Sequence, residues 1–97
     1  HITGGGFYEN IPRMLKDGMT AKIEKAAVPV LPIFPLLQKV GNIPERDMYN
    51  TFNMGVGLCV AVSKDTAQKA VNAFRAAGEE AVVLGEVTQG DEGVVLC

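Results

Sequence analysis

The first six residues have the types and spacing best suited to binding a phosphate group. The chain begins HITGGG, so three consecutive glycines follow Thr3. Glycine has no side chain, and a glycine turn therefore reaches positive φ and lets the backbone lie against a ligand. An apolar helix pattern starts at Phe7, and a turn that leads into a helix presents free backbone N–H donors to an anion. Thr3 either donates its hydroxyl to the phosphate or caps the helix.

The glycine spacing excludes two familiar nucleotide-binding motifs. It does not match G-x-G-x-x-G, and no Gly-Lys-Ser/Thr follows that would make a P-loop. On the glycines alone, a phosphate site and a tight structural turn both remain open. Arg13 and Lys16 come shortly after the turn, where they either contact a phosphate or form a solvated helix face.

A second glycine turn, residues 53–57, lies between a predicted helix and a predicted strand. Ligands bind at strand ends in many α/β sheets, although close packing of a strand end explains such a turn equally simply. His1 is the only histidine, which excludes a histidine metal cluster. No other Cys or His lies near Cys59 or Cys97 at the spacing of zinc ligands, so we expect no metal site. We interpret Cys59 as a small buried hydrophobe.

The elements that would position these turns follow from apolar periodicity and from breakers. We expect a helical turn after Gly6 and a second helix that is capped by Asn10 and has Pro12 in its first turn. Further helices are predicted over residues 33–40, after Pro44, and over residues 67–77. Strands are predicted over residues 20–28, 58–62, 81–87 and 94–96, with the last two forming a hairpin. The predicted fold class is therefore α/β (α+β), with helices on a mixed sheet.

Composition narrows the function classes. The chain has 97 residues, 47% of them hydrophobic, and a net charge of −2 with scattered basic residues. We therefore expect neither a nucleic-acid partner nor a membrane partner, and a cytoplasmic location. No residue precedes His1 that could lead into the glycine turn, so we expect a fragment of a larger protein.

Two blocks together resemble one enzyme family. HITGGG with Glu-Asn-Ile-Pro-Arg (residues 9–13), followed by Thr-Phe-Asn-Met-Gly-Val-Gly (residues 51–57), is similar to the phosphoribosylformylglycinamidine cyclo-ligases. The resemblance covers essentially the whole chain and implies that residues 1–97 form the latter part of the C-terminal domain. An N-terminal ATP-binding domain would then be absent.

The resemblance also implies a reaction. These ligases close an imidazole ring in purine biosynthesis by converting formylglycinamidine ribonucleotide to aminoimidazole ribonucleotide. The formyl amide oxygen is phosphorylated with ATP, an amidine nitrogen attacks, and phosphate leaves. Family enzymes are homodimers, and the family implies ATP and Mg²⁺ held mainly by the N-terminal domain. The fragment alone would be inactive.

Carried onto this sequence, the resemblance places the glycine turn in a cleft against the ribonucleotide phosphate. The implied substrate- and phosphate-binding residues are Thr3, Gly4, Gly5, Gly6, Asn10, Asn53, Gly55 and Gly57. His1 is the candidate catalytic residue. Two alternatives remain: a related ATP-dependent enzyme (formylglycinamidine ribonucleotide synthetase, selenophosphate synthetase or thiamine monophosphate kinase), and a non-catalytic α/β module that binds a phosphate ligand.

Overall fold

Four α-helices and one three-stranded mixed sheet form the fold in the computed structural model, which describes residues 1–97. The helices are α1 (Gly6–Asn10), α2 (Ile33–Gly41), α3 (Glu45–Thr51) and α4 (Ala67–Ala76). The strands are β1 (Met19–Ile23), β2 (Gly85–Gln89) and β3 (Val94–Leu96). Three short 3-10 helices cover Ile11–Met14, Lys25–Ala27 and Lys64–Thr66. The predicted α/β class with a mixed sheet is confirmed.

The sheet has the order β2-β1-β3, with β1 in the centre. β2 pairs with β1 in antiparallel orientation, whereas β3 pairs with β1 in parallel orientation. The predicted β2–β3 hairpin is therefore wrong, because the two strands lie on opposite edges. The connection between them binds the start of β1 instead. Gly90 donates its N–H to the Gly18 carbonyl at 3.0 Å, and Glu92 donates its N–H to Thr20 Oγ1 at 3.2 Å.

The other strand predictions differ from the structure in their bounds or in kind. The strand predicted over residues 20–28 ends at Ile23, because residues 25–27 form a 3-10 turn ahead of Pro29. The strand predicted over residues 81–87 begins only at Gly85. No strand forms over residues 58–62, where no backbone hydrogen bond is made and Leu58 is 59% exposed. An apolar run becomes a strand only when a partner strand lies beside it.

The helix predictions are largely confirmed. α1 ends at Asn10, and a 3-10 helix with Pro12 near its start takes over at Ile11, so the chain forms two short pieces as expected. Proline cannot continue an α-helix from within because it lacks the N–H donor. α2 and α3 begin next to Pro32 and Pro44, and α4 ends just before a glycine of positive φ. None of these helices is long and apolar enough to cross a membrane.

The core lies where α1 packs against α3 and the 3-10 helix Ile11–Met14 packs against β1. The side chains of Phe7, Ile11 and Met48 are completely buried. The Phe7 ring meets the Tyr49 ring edge-on, with ring centroids 5.3 Å apart. Burying an aromatic side chain of this size contributes about 1.5–3 kcal/mol. This packing fixes α1, and with it the glycine turn that leads into α1.

Candidate functional site

The glycine loop, residues 3–6, forms a tight turn at the start of α1. The Gly6 N–H donates to the Thr3 carbonyl at 3.1 Å, and Gly5 has a φ of 98° that favours glycine. The backbone N–H groups of Gly4 and Gly5 have no acceptor within the chain. A side chain at Gly4 would meet open space, so the loop is accessible there. These donors suit an anionic ligand.

Gly6 differs from Gly4 because the surrounding backbone requires a glycine there. Its φ is 59°, and an added Cβ would overlap the Tyr49 carbonyl oxygen and lie 2.7 Å from the Phe52 carbonyl oxygen. The absence of a side chain therefore lets α1 approach the C-terminal end of α3. Gly6 therefore serves helix packing as well as loop geometry. The sequence alone, a run of three glycines, did not show that Gly6 has this second role.

The Asn10 side chain holds the glycine loop through hydrogen bonds to its backbone. Its Nδ2 lies 2.8 Å from the Gly6 carbonyl oxygen and 3.2 Å from the carbonyl oxygens of Thr3 and Gly4. Its Oδ1 accepts a hydrogen bond from Thr3 Oγ1 at 3.3 Å. Asn10 precedes the 3-10 helix as predicted, but its side chain makes no capping bond there. The side chain is taken up by the loop instead, so the predicted capping role is wrong.

The second turn, residues 53–57, lies beside the glycine loop. Asn53 Oδ1 accepts the Gly55 N–H at 2.8 Å, which closes the turn locally. The Ile2 N–H donates to the Gly57 carbonyl at 2.8 Å, and Gly6 packs against Phe52 just before the turn. Two glycine-containing segments about fifty residues apart are thus joined at both ends, as a two-walled site requires.

The middle of the second turn faces another part of the chain. Gly55 has a φ of 103°, and an added Cβ there would lie 3.0 Å from both the Pro29 carbonyl oxygen and the Leu31 side chain. Gly55 therefore allows close packing against the proline-rich loop before α2. Gly57, in contrast, lies in open space next to Ile2.

A cavity of about 220 Å³ opens beside the glycine loop. Its lining residues are His1, Ile2, Asn10, Ile11, Arg13, Met14 and Cys59. His1 and Asn10 belong to the predicted site, and Arg13 was one of the two basic residues considered for phosphate contact. Cys59, which the sequence predicted to be a small buried hydrophobe, is only half-buried and lines this cavity; burial raises the pKa of its thiol. The cavity lining thus combines the cationic Arg13 with apolar side chains.

Polar contacts between α1 and α3 also support the glycine loop, because the loop leads directly into α1. Asn50 Nδ2 donates to Glu9 Oε2 at 3.1 Å, and the Arg46 guanidinium lies 4.0 Å from the centre of the Tyr8 ring. Tyr8 therefore packs against Arg46. Burial, and then the nearby Glu45 carboxylate, raise the pKa of Tyr49. No three His, Cys, Asp or Glu side chains converge as a metal site would need.

These residues define an α/β domain in which a glycine loop is held against a second glycine turn. The whole chain, residues 1–97, matches the family described as AIR synthase related protein, C-terminal domain. The chain belongs to this family.

Several similar curated proteins carry the same name. The chain is 55% identical over 97 residues to the phosphoribosylformylglycinamidine cyclo-ligase of Lachnoclostridium phytofermentans. It is 54% identical to the protein of that name from Lachnospira eligens and 50% identical to that of Acetivibrio thermocellus, again over 97 residues. All of this chain is covered in each case, and it spans 28% of the length of each relative.

Proposed function

We propose that this chain is the C-terminal portion of an ATP-dependent phosphoribosylformylglycinamidine cyclo-ligase, with a role in purine biosynthesis in the cytoplasm. The observation that supports this most strongly is 55% identity over the whole chain to a protein of that name. The full-length enzyme would be a homodimer. Its ATP and Mg²⁺ would be held mainly by the part of the enzyme that precedes this domain, and the fragment alone would be inactive.

Within that enzyme, we assign the glycine loop to the phosphate of the ribonucleotide substrate. The free N–H groups of Gly4 and Gly5 would donate to the phosphate oxygens. The Thr3 hydroxyl donates to Asn10 Oδ1 in this structure, so Thr3 would join them only by turning away from that bond. Arg13, which lines the adjacent cavity, would supply a positive charge on the same side. Holding the phosphate fixes the position of the reacting amide and amidine, and an intramolecular ring closure depends on such orientation.

The second turn would form the opposite wall of the cleft. Asn53 and Gly55 shape this turn, and Gly57 lies next to Ile2, close to the loop. Histidine is the side chain most often used as a general acid or base, and we keep His1 as the candidate catalytic residue. It lines the cavity together with Asn10.

Gly4 provides the sharpest test of the loop assignment. Gly4→Ala and Gly4→Val place side chains of increasing size among the free donors, where an added Cβ meets no other atom. In a full-length enzyme that carries this domain, we expect the KM for formylglycinamidine ribonucleotide to rise with side-chain size. The KM for ATP and the thermal unfolding midpoint should change little. The measurement is steady-state cyclo-ligase kinetics with each substrate varied in turn.

Two results would contradict the proposal. An unmodified full-length enzyme without cyclo-ligase activity would reject the reaction. Normal activity with an unchanged ribonucleotide KM in Gly4→Val would reject only the phosphate assignment. Gly5 is a poorer probe, because a Cβ there would lie 2.7 Å from the Glu9 Cβ at a φ of 98°, so folding and binding would change together.

A further inference from the structure

The Asn10 side chain is fully engaged by the glycine loop. Asn10 is 7% exposed, and its Nδ2 carries two hydrogens for three surrounding carbonyl oxygens, those of Thr3, Gly4 and Gly6. Its Oδ1 already accepts from the Thr3 hydroxyl. A ligand could bind this amide only by displacing the loop, because no donor is left over.

The three carbonyls that Asn10 holds determine where the loop's N–H groups point. No peptide bond in the chain is cis, and in a planar trans peptide the C=O and the following N–H point in opposite directions. Turning the carbonyls of Thr3 and Gly4 towards Asn10 therefore turns the N–H groups of Gly4 and Gly5 away from it. The same argument applies to Gly6 and the N–H of Phe7.

The hydrogen bonding agrees with this geometry. The N–H groups of Gly4, Gly5 and Phe7 have no acceptor in the chain, whereas the Gly6 N–H donates to the Thr3 carbonyl. Each N–H group that follows a carbonyl bound by Asn10 is thus free, and the N–H groups of Thr3 and Tyr8 also have no acceptor in the chain. A glycine-rich segment would otherwise sample many backbone conformations, since glycine restricts φ so little.

We propose that Asn10 is a positioning residue: it directs the loop's N–H donors towards the substrate phosphate without touching the substrate itself. This inference rests on the proposed function of the loop. It revises the role that the family resemblance implied for Asn10, from direct substrate contact to support of the loop.

The test uses a full-length enzyme that carries this domain, labelled with nitrogen-15, and follows the addition of inorganic phosphate by NMR. In the unmodified enzyme, we expect phosphate to shift the backbone amide signals of Gly4 and Gly5. The side-chain amide signals of Asn10 should stay in place and exchange slowly with solvent. This measurement needs no variant, so it does not depend on whether a substitution at a buried position folds.

The variant Asn10→Asp keeps the shape of the side chain but removes its donors. We expect the phosphate dissociation constant to rise by about tenfold or more, because the loop donors lose their direction. The matched control is Asn72→Asp. It introduces the same charge on α4, where Asn72 only accepts a hydrogen bond from Gln68, which aspartate can still do. Binding in the control should stay within about twofold of the unmodified enzyme.

Each other outcome has a distinct meaning. If the Asn10 side-chain signals shift most in the unmodified enzyme, Asn10 contacts the ligand and the inference is wrong. Unchanged phosphate binding in Asn10→Asp also overturns it, while leaving the loop assignment intact. No shift at Gly4 and Gly5 in the unmodified enzyme would reject the loop assignment itself, and the inference with it.

Discussion

Residues 1–54 and residues 55–93 differ in how completely they bury their apolar side chains. Twelve of the fourteen buried residues lie in the first region, whereas the second contains only Val71. The second region is not short of apolar residues, since Leu58, Val60, Val82 and Val83 are all exposed there. Apolar composition alone therefore does not determine burial. A side chain is buried only where other elements cover it.

This difference bears on the candidate site. The glycine loop belongs to the well-packed region, where α1 contacts α3 and Asn10 holds the loop carbonyls. The second wall begins in the same region at Asn53 and continues into the exposed run after Gly57. Precise ligand contacts require a backbone that its surroundings hold in place. We therefore expect the loop to be the more rigid of the two walls.

The largest effect should come from truncating a side chain in the packed region. Phe7→Ala removes a completely buried ring that contacts Tyr49, and we expect it to lower the free energy of unfolding by about 3–5 kcal/mol. The matched control is Phe74→Ala on α4, where the ring is 37% exposed. Denaturant unfolding of both variants measures the difference. Equal losses would contradict the contrast between the two regions.

A smaller effect is expected from adding one methyl group at the contact between α1 and α3. Gly6→Ala places a Cβ against the carbonyl oxygens of Tyr49 and Phe52 at a φ of 59°. We expect a loss of about 2–4 kcal/mol from strain and overpacking together. Gly4→Ala, two residues earlier, adds the same atom in open space and should cost well under 1 kcal/mol. Thermal unfolding distinguishes them, and similar midpoints would show that Gly6 does not need to be glycine.

The same two regions explain which parts of the fold the sequence could predict. Helices depend on neighbouring residues, so apolar periodicity predicted helices over residues 33–40 and 67–77, close to the observed bounds of α2 and α4. Strands depend on partners that lie far away in sequence. The run at residues 58–62 has the composition of a strand but no partner, and β3 pairs with β1 rather than with its neighbour β2. Local periodicity carries no information about such pairing.

The candidate site divides in the same way. Its glycine turns could be recognised from the sequence, because glycine runs are visible in a single segment. The reasons why a particular residue type is needed at a given position could not be recognised from the sequence. Gly6 must be glycine because of Tyr49, which is 43 positions away, and the Asn10 amide turns back to the loop instead of capping the next helix. Neither contact leaves a periodic signal.

The smallest effect that we predict concerns the pH dependence of the packed region. Burial, followed by the charge of Glu45, raises the pKa of Tyr49 above its ordinary value of 10.0. Above pH 10 the unfolded chain therefore releases the phenol proton before the folded chain does. Folded protein then binds more protons than unfolded protein, so stability falls as the pH rises from 10 towards the folded-state pKa. Below pH 10 this group leaves stability unchanged.

Tyr49→Phe removes this titration and should flatten the decrease in unfolding free energy above pH 10. Denaturant unfolding between pH 8 and pH 11 provides the measurement, and the difference between the two pH profiles isolates the contribution of Tyr49. Because Tyr49 packs against Phe7, a flattened profile places this pH dependence at the contact between α1 and α3. Parallel profiles would mean that the Tyr49 hydroxyl remains solvated in the folded chain. The packing that supports the glycine loop would then be looser than its buried residues indicate.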